Sequence, residues 1–146
     1  MSTPSGPSLY VSLWKTSHEV MKADNASILK AGFKTRSDFA VLEVLLHKGP
    51  LPVNTIGKKV LLTSGSITTA IQRLEKQGLV QRAPSPDDRR KVQIELTKEG
   101  RKRISSAFAE HAERLEEAFS PLSSEEKTTL LRLFKKLRAS NQQEPS

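Results

Sequence analysis

The 146-residue sequence contains no cysteine. That excludes disulfides, thiolate metal sites, cysteine nucleophiles and thiol-based redox sensing. It also lacks a long apolar run: the most apolar window, FAVLEVLL, spans eight residues and carries Glu43. The N-terminal stretch MSTPSGPSLYVSLWKTSHE has neither the basic n-region nor the apolar core of a signal peptide. A soluble cytoplasmic protein without membrane contact is the expectation.

Catalytic and metal-binding signatures are absent as well. The three histidines, His18, His47 and His111, lie far apart and without a short carboxylate/His cluster, so no metal is expected. In GPLPVNTIGKK, seven residues separate Gly49 from Gly57 instead of four, and Lys59 stands where a P-loop needs Ser or Thr. Ser64-Gly65-Ser66 has no G-x-S-x-G frame around it. Neither an enzyme nor a cofactor is expected.

What is present is positive charge, and it is concentrated. Net charge is +8; residues 51–103 hold twelve Lys/Arg against five Asp/Glu, a local net of +7. The remainder is nearly balanced. A basic block of this kind suits a surface facing a polyanion, although a solvated basic face gives the same count.

Residues 1–8 (MSTPSGPS) and 141–146 (NQQEPS) read as polar, disordered tails around a single domain, 9–140. Tyr10, Leu13, Trp14, Val20, Met21 and Ile28 recur at helical spacing and predict a first helix over 9–31, ending at Gly32. Thr35 and Asp38 form a capping pair for SDFAVLEVLLHK. A short helix follows at about 53–60, then one over 65–77 with Ser64 as N-cap and Gly78 as C′ residue. LVQRA and KVQIELT predict two strands joined by a turn over 84–90, with Val92, Ile94 and Leu96 on the buried face. Thr97 caps a long helix, 98–119, striped with Ile104, Phe108, Ala112, Leu115 and Phe119. Ser123 and Glu126 form a capping box for a last helix, 124–139, with Leu130, Phe134 and Leu137 on its face.

The fold class is therefore mainly α with a small β-hairpin wing: a winged helix-turn-helix over about 35–100, flanked by long helices at 9–31 and 101–140. The apolar stripes of those flanking helices exceed the needs of so small a core, which favours a two-fold dimer over a larger monomeric core.

The helix over 65–77 turns Ile67, Ala70, Ile71 and Leu74 inward, leaving Ser66, Thr68, Thr69, Gln72, Arg73 and Lys76 outside, with Ser64 at its start. Short hydroxyls near its N-terminus let backbone amides approach a phosphate. Further along, Gln can pair with adenine and Arg with guanine. An ordinary solvated face would show Glu/Lys pairs; here only Glu75 is acidic. Arg89, Arg90 and Lys91 sit at the hairpin tip, too far out to pack, where a basic tip can enter a minor groove. Asp88 is placed to hold an arginine or to cap the turn.

The segment LEKQGLVQRAPSPDDRRKVQIELTKEG resembles the signature of the MarR family of winged-helix transcription factors. The match runs through Leu74, Gly78, Leu79, Val80, Arg82, Asp88, Arg90, Leu96, Thr97 and Gly100. VLLTSGSITTAIQRLEKQG further resembles the quinone- or phenolic-responsive branch. The resemblance implies a homodimer on a pseudo-palindromic site in double-stranded DNA, usually as a repressor. It implies Arg90 as the minor-groove residue and Asp88 as its structural partner. It also implies a small aromatic ligand between the dimer helices and the DNA-binding lobe. Trp14, His18, Phe39 and His47 are candidates for lining such a pocket, with core packing as their other reading. A winged-helix module that binds RNA or a protein partner is the alternative function.

Overall fold

The computed structural model describes residues 2–142; Met1 and residues 143–146, which belong to the two expected tails, lie outside the described residues. Six helices and one hairpin follow in the expected order. They are α1 (Gly6–Lys30), α2 (Arg36–Lys48), α3 (Val53–Lys59), α4 (Ser64–Lys76), β1 (Val80–Pro84), β2 (Val92–Leu96), α5 (Lys98–Ala118) and α6 (Ser124–Asn141).

α1 begins inside the segment read as a disordered tail. The Ser5 side chain accepts from the Ser8 amide, and a proline occupies the first helical turn, where its fixed φ and missing N–H are tolerated. The Pro/Ser composition is thus a helix start. At the other end, α6 runs to Asn141, beyond the expected limit of 139.

The core gathers on α2 and α4. Phe39, Val41, Leu42 and Leu45 of α2 meet Ile67, Ala70, Ile71 and Leu74 of α4, with Ile56 from α3, Ile94 from β2 and Ile104 from α5. This places the helix-turn-helix, α3 and α4, and the wing on one nucleus. Each fully buried Leu or Ile contributes roughly 1.5–3 kcal/mol of transfer free energy relative to exposure.

The strands pair antiparallel with Val80 opposite Leu96 and Pro84 opposite Val92. Ile94 is fully buried, but Val92 is 48% exposed, contrary to the alternation reading. It stands at the tip end of the ladder, beyond the reach of the core. Leu51 adds a bridge that the sequence pattern does not announce: its N–H donates to Ile94 O at 3.1 Å, and the Ile94 N–H donates back at 2.8 Å. The wing is thereby pinned to the segment after α2.

The L-T-x-x-G run is a junction. The Thr97 hydroxyl donates to Gly78 O at 2.6 Å and accepts from the Gly100 N–H at 3.0 Å. Gly78 has φ +72, the left-handed conformation that ends α4. At Gly100 a Cβ would overlap the Leu79 carbonyl oxygen, so only glycine lets α5 pass this close to the wing.

Among the described residues no helix is long and apolar enough to cross a membrane. α1 and α6 expose large apolar side chains: Tyr10, Leu13, Trp14, Leu131, Leu133 and Leu137 are all close to or above half exposed. α6 buries none of its residues.

Candidate nucleic-acid interface

α4 starts one residue earlier than its sequence reading. Thr63, not Ser64, is the N-cap; its Oγ1 accepts from the Ser66 amide at 3.2 Å and donates to Ser66 Oγ at 2.9 Å. Two adjacent hydroxyl residues offer the same capping chemistry, and the extended backbone of Thr63 decides between them. Ser64 becomes the first helical residue and, like Ser66, is exposed.

Thr68, Thr69, Gln72 and Lys76 are exposed on the face opposite the buried stripe. The Thr68 hydroxyl donates to Ser64 O at 2.8 Å and that of Thr69 to Gly65 O at 3.0 Å. These bonds fix both rotamers, turning each hydroxyl towards the helix backbone while its lone pairs remain free to accept.

Arg73 departs from the expectation of a free base-reading guanidinium. It is drawn to Asp38 of α2, a carboxylate only 1% exposed. That bond raises the Arg73 pKa above the ordinary arginine value and fixes its side chain within the fold. The Thr35–Asp38 capping pair forms through the Asp38 amide, which donates to Thr35 Oγ1 at 3.2 Å, while the Asp38 carboxylate is taken up by Arg73.

The wing tip is organised by Asp88. Its Oδ1 accepts from the Arg90 amide at 3.0 Å and from Arg90 Nε at 3.2 Å, while its carbonyl accepts from the Lys91 N–H at 2.9 Å. Both roles open to Asp88, turn cap and arginine holder, are thus performed by one carboxylate. Arg90 remains 92% exposed at its side chain, and Arg89 and Lys91 are also exposed. At the base of the wing, Arg82 pairs with Glu75 of α4 at 3.1 Å, coupling the wing to the helix.

The four candidate pocket residues do not come together. Trp14 stacks on His18 at 6.1 Å between ring centroids on the exposed face of α1. His47 packs edge-on against Phe108 at 4.6 Å. Only Phe39 lines a cleft of about 230 Å³ between α1, α2 and α5, together with Asp24, Arg36, Glu43 and His111. There His111 Nδ1 meets Asp24 Oδ1 at 2.5 Å, and Arg36 Nη1 donates to Asp24 Oδ2 at 3.1 Å. These four polar residues were missed by sequence reasoning. Their signal is a polar residue on an apolar stripe: Asp24 between Val20 and Ile28, and His111 between Phe108 and Leu115.

A family model described as MarR family matches residues 34–92, the helix-turn-helix and most of the wing. The HTH-type transcriptional regulator MhqR of Bacillus subtilis (strain 168) is 36% identical over 129 residues, covering 88% of each chain. Among solved structures, NadR in complex with 4-hydroxyphenylacetate superposes with a TM-score of 0.78 at 27% identity, covering 94% of this chain and 97% of that one. A mutant MarR from E. coli complexed with operator DNA shares the fold, with a TM-score of 0.77 at 23% identity over 88% and 92% of the two chains. With a winged helix-turn-helix of this order and a relative aligned along nearly its whole length, the chain belongs to the MarR family of transcriptional regulators.

Proposed function

We propose that the chain acts as a homodimeric, sequence-specific repressor on a pseudo-palindromic duplex operator. The observation that carries this reading is the pairing of two exposed surfaces: the hydroxyl and amide face of α4 and the basic wing tip at Arg89, Arg90 and Lys91. Both fall in the segment that holds nearly all of the excess positive charge. Ser64, Ser66, Thr68, Thr69, Gln72 and Lys76 take the major groove, and Arg90 takes the minor groove, with Asp88 shaping the wing. Arg73 holds α4 in place. The exposed apolar residues of α1 and α6 form the dimer contact, since they cover no core of their own chain.

The inducer in this reading is a small aromatic acid or phenol in the Phe39 cleft. Arg36 and His111 supply a cation and an imidazole beside an aromatic wall, and NadR, 27% identical, is in complex with 4-hydroxyphenylacetate. Selection of bound sites from random duplexes, repeated with 4-hydroxyphenylacetate and related phenols and quinones, tests both halves. A palindromic consensus whose occupancy falls with one of these compounds supports the reading. Enrichment of no duplex sequence, or preference for RNA, removes it.

A further inference from the structure

Leu61 is the only non-glycine residue with positive φ among the described residues, at +59. It is also the most exposed of the large apolar side chains, at 91%. The residue lies in the turn between α3 and α4, after the C-cap Val60 and two positions before the N-cap Thr63. Its neighbours have structural work: Val60 and Leu62 pack against the core, and the Leu62 N–H donates to Gly57 O at 2.9 Å. The turn needs a left-handed residue at this point, and glycine or asparagine supplies one with less strain. A leucine there adds strain and an exposed apolar group while giving the fold nothing. An unusual backbone conformation with no structural return points to a use outside the fold.

The surroundings indicate the partner. Lys58 and Lys59 precede Leu61 and are exposed, as are Thr63, Ser64 and Ser66 after it. No Asp or Glu occurs between Glu43 and Glu75. A lone exposed apolar side chain within an acid-free segment whose neighbouring exposed residues are basic or hydroxyl-bearing fits a polyanion that carries apolar groups of its own. In duplex DNA the apolar group of the major groove is the thymine C5 methyl.

We infer that Leu61 is a specificity-determining residue that packs on a thymine methyl of the operator, beside the bases met by the N-terminal turn of α4. This rests on the operator-binding reading above. The contact adds apolar recognition at the rim of a surface that otherwise reads by hydrogen bonds. In a dimer it is made twice, once in each half-site.

The test compares the full-length chain with Leu61→Gly and Leu61→Asn, both suited to the left-handed turn. Each is titrated on the selected operator and on the same operator with deoxyuridine replacing thymidine. The variants are expected to melt no lower than the parent. Their affinity for the thymine operator should fall about three- to tenfold, the scale of one or two buried methyl-sized contacts. On the uracil operator, parent and variants should bind alike. Equal affinity of parent and variants on the thymine operator overturns the inference, and so does an equal loss on both duplexes. If the parent itself selects no duplex, the operator-binding reading has failed instead, so the two failures are distinguishable.

Discussion

Arg73 of α4 and Asp38 of α2 form a two-point ion pair. Nε donates to the two carboxylate oxygens at 3.1 and 2.9 Å, and Nη2 donates to Oδ1 at 2.6 Å. Asp38 is buried and the Arg73 side chain is 26% exposed. Removing the guanidinium strands a buried carboxylate, which for a fully buried pair costs roughly 3–5 kcal/mol. Partial exposure of Arg73 lowers this, so Arg73→Ala is expected to destabilise by roughly 2–3 kcal/mol. Arg73→Lys recovers little, because an ammonium cannot reproduce the fork. Thermal melting with operator selection on both variants checks this. An unchanged melting temperature with relaxed preference at one base pair would make Arg73 a base reader after all.

Gly100 tests the junction between wing and α5. A Cβ there meets the Leu79 carbonyl, a backbone atom that cannot swing aside. Gly100→Ala is expected to lower stability by roughly 1–3 kcal/mol through overpacking, despite alanine's better helix propensity. Chemical denaturation measures it directly; a stabilised variant would mean that α5 can shift away from the wing without cost.

Arg90 offers the opposite case. Its side chain is 92% exposed and bonded only within its own turn, so Arg90→Ala should leave the melting temperature unchanged. Operator affinity should fall by about 1–3 kcal/mol, with little change in major-groove preference. Asp88→Ala should also weaken binding, by loosening the turn that presents Arg90. Unaltered affinity in the Arg90 variant would remove the wing from the mechanism.

Arg36 tests the cleft. It reaches Asp24 from a side chain that is 45% exposed, so its loss disturbs the core less than loss of His111 would. Arg36→Ala should weaken 4-hydroxyphenylacetate binding about tenfold or more, as expected for a lost charged hydrogen bond, while ligand-free operator binding persists. Calorimetry with the compound, beside an operator titration without it, separates these effects. Unchanged ligand affinity would move the inducer site elsewhere.

The helices and the wing were legible because their signals are local. Ile67, Ile71 and Leu74 repeat at helical spacing, Ile94 and Leu96 alternate, and the Ser123–Glu126 capping box is a four-residue pattern. Local signals also explain the small errors. Thr63 and Ser64 carry the same capping group, so sequence alone cannot choose between them, and Val92 follows the alternation but stands past the edge of the core. The start of α1 was hidden because Ser5 and Pro7 serve equally well in a tail. The larger gaps are long-range. Asp38 and Arg73 are 35 residues apart, and Asp24 and His111 are 87 apart. Without the fold, Asp38 reads only as half of a capping pair and Arg73 as a base contact, and the candidate pocket residues are Trp14, His18, Phe39 and His47, of which only Phe39 lines the cleft.

The most direct test of the central claim is equilibrium binding of the full-length chain to its selected palindrome, a scrambled duplex and a single strand, between about 50 and about 200 mM salt. Two chains are expected on each palindrome, with a preference for it of about a thousandfold or more over the scrambled duplex. Affinity is expected to fall steeply as salt rises. Equal affinity for all three nucleic acids, or binding insensitive to salt, would contradict the central claim.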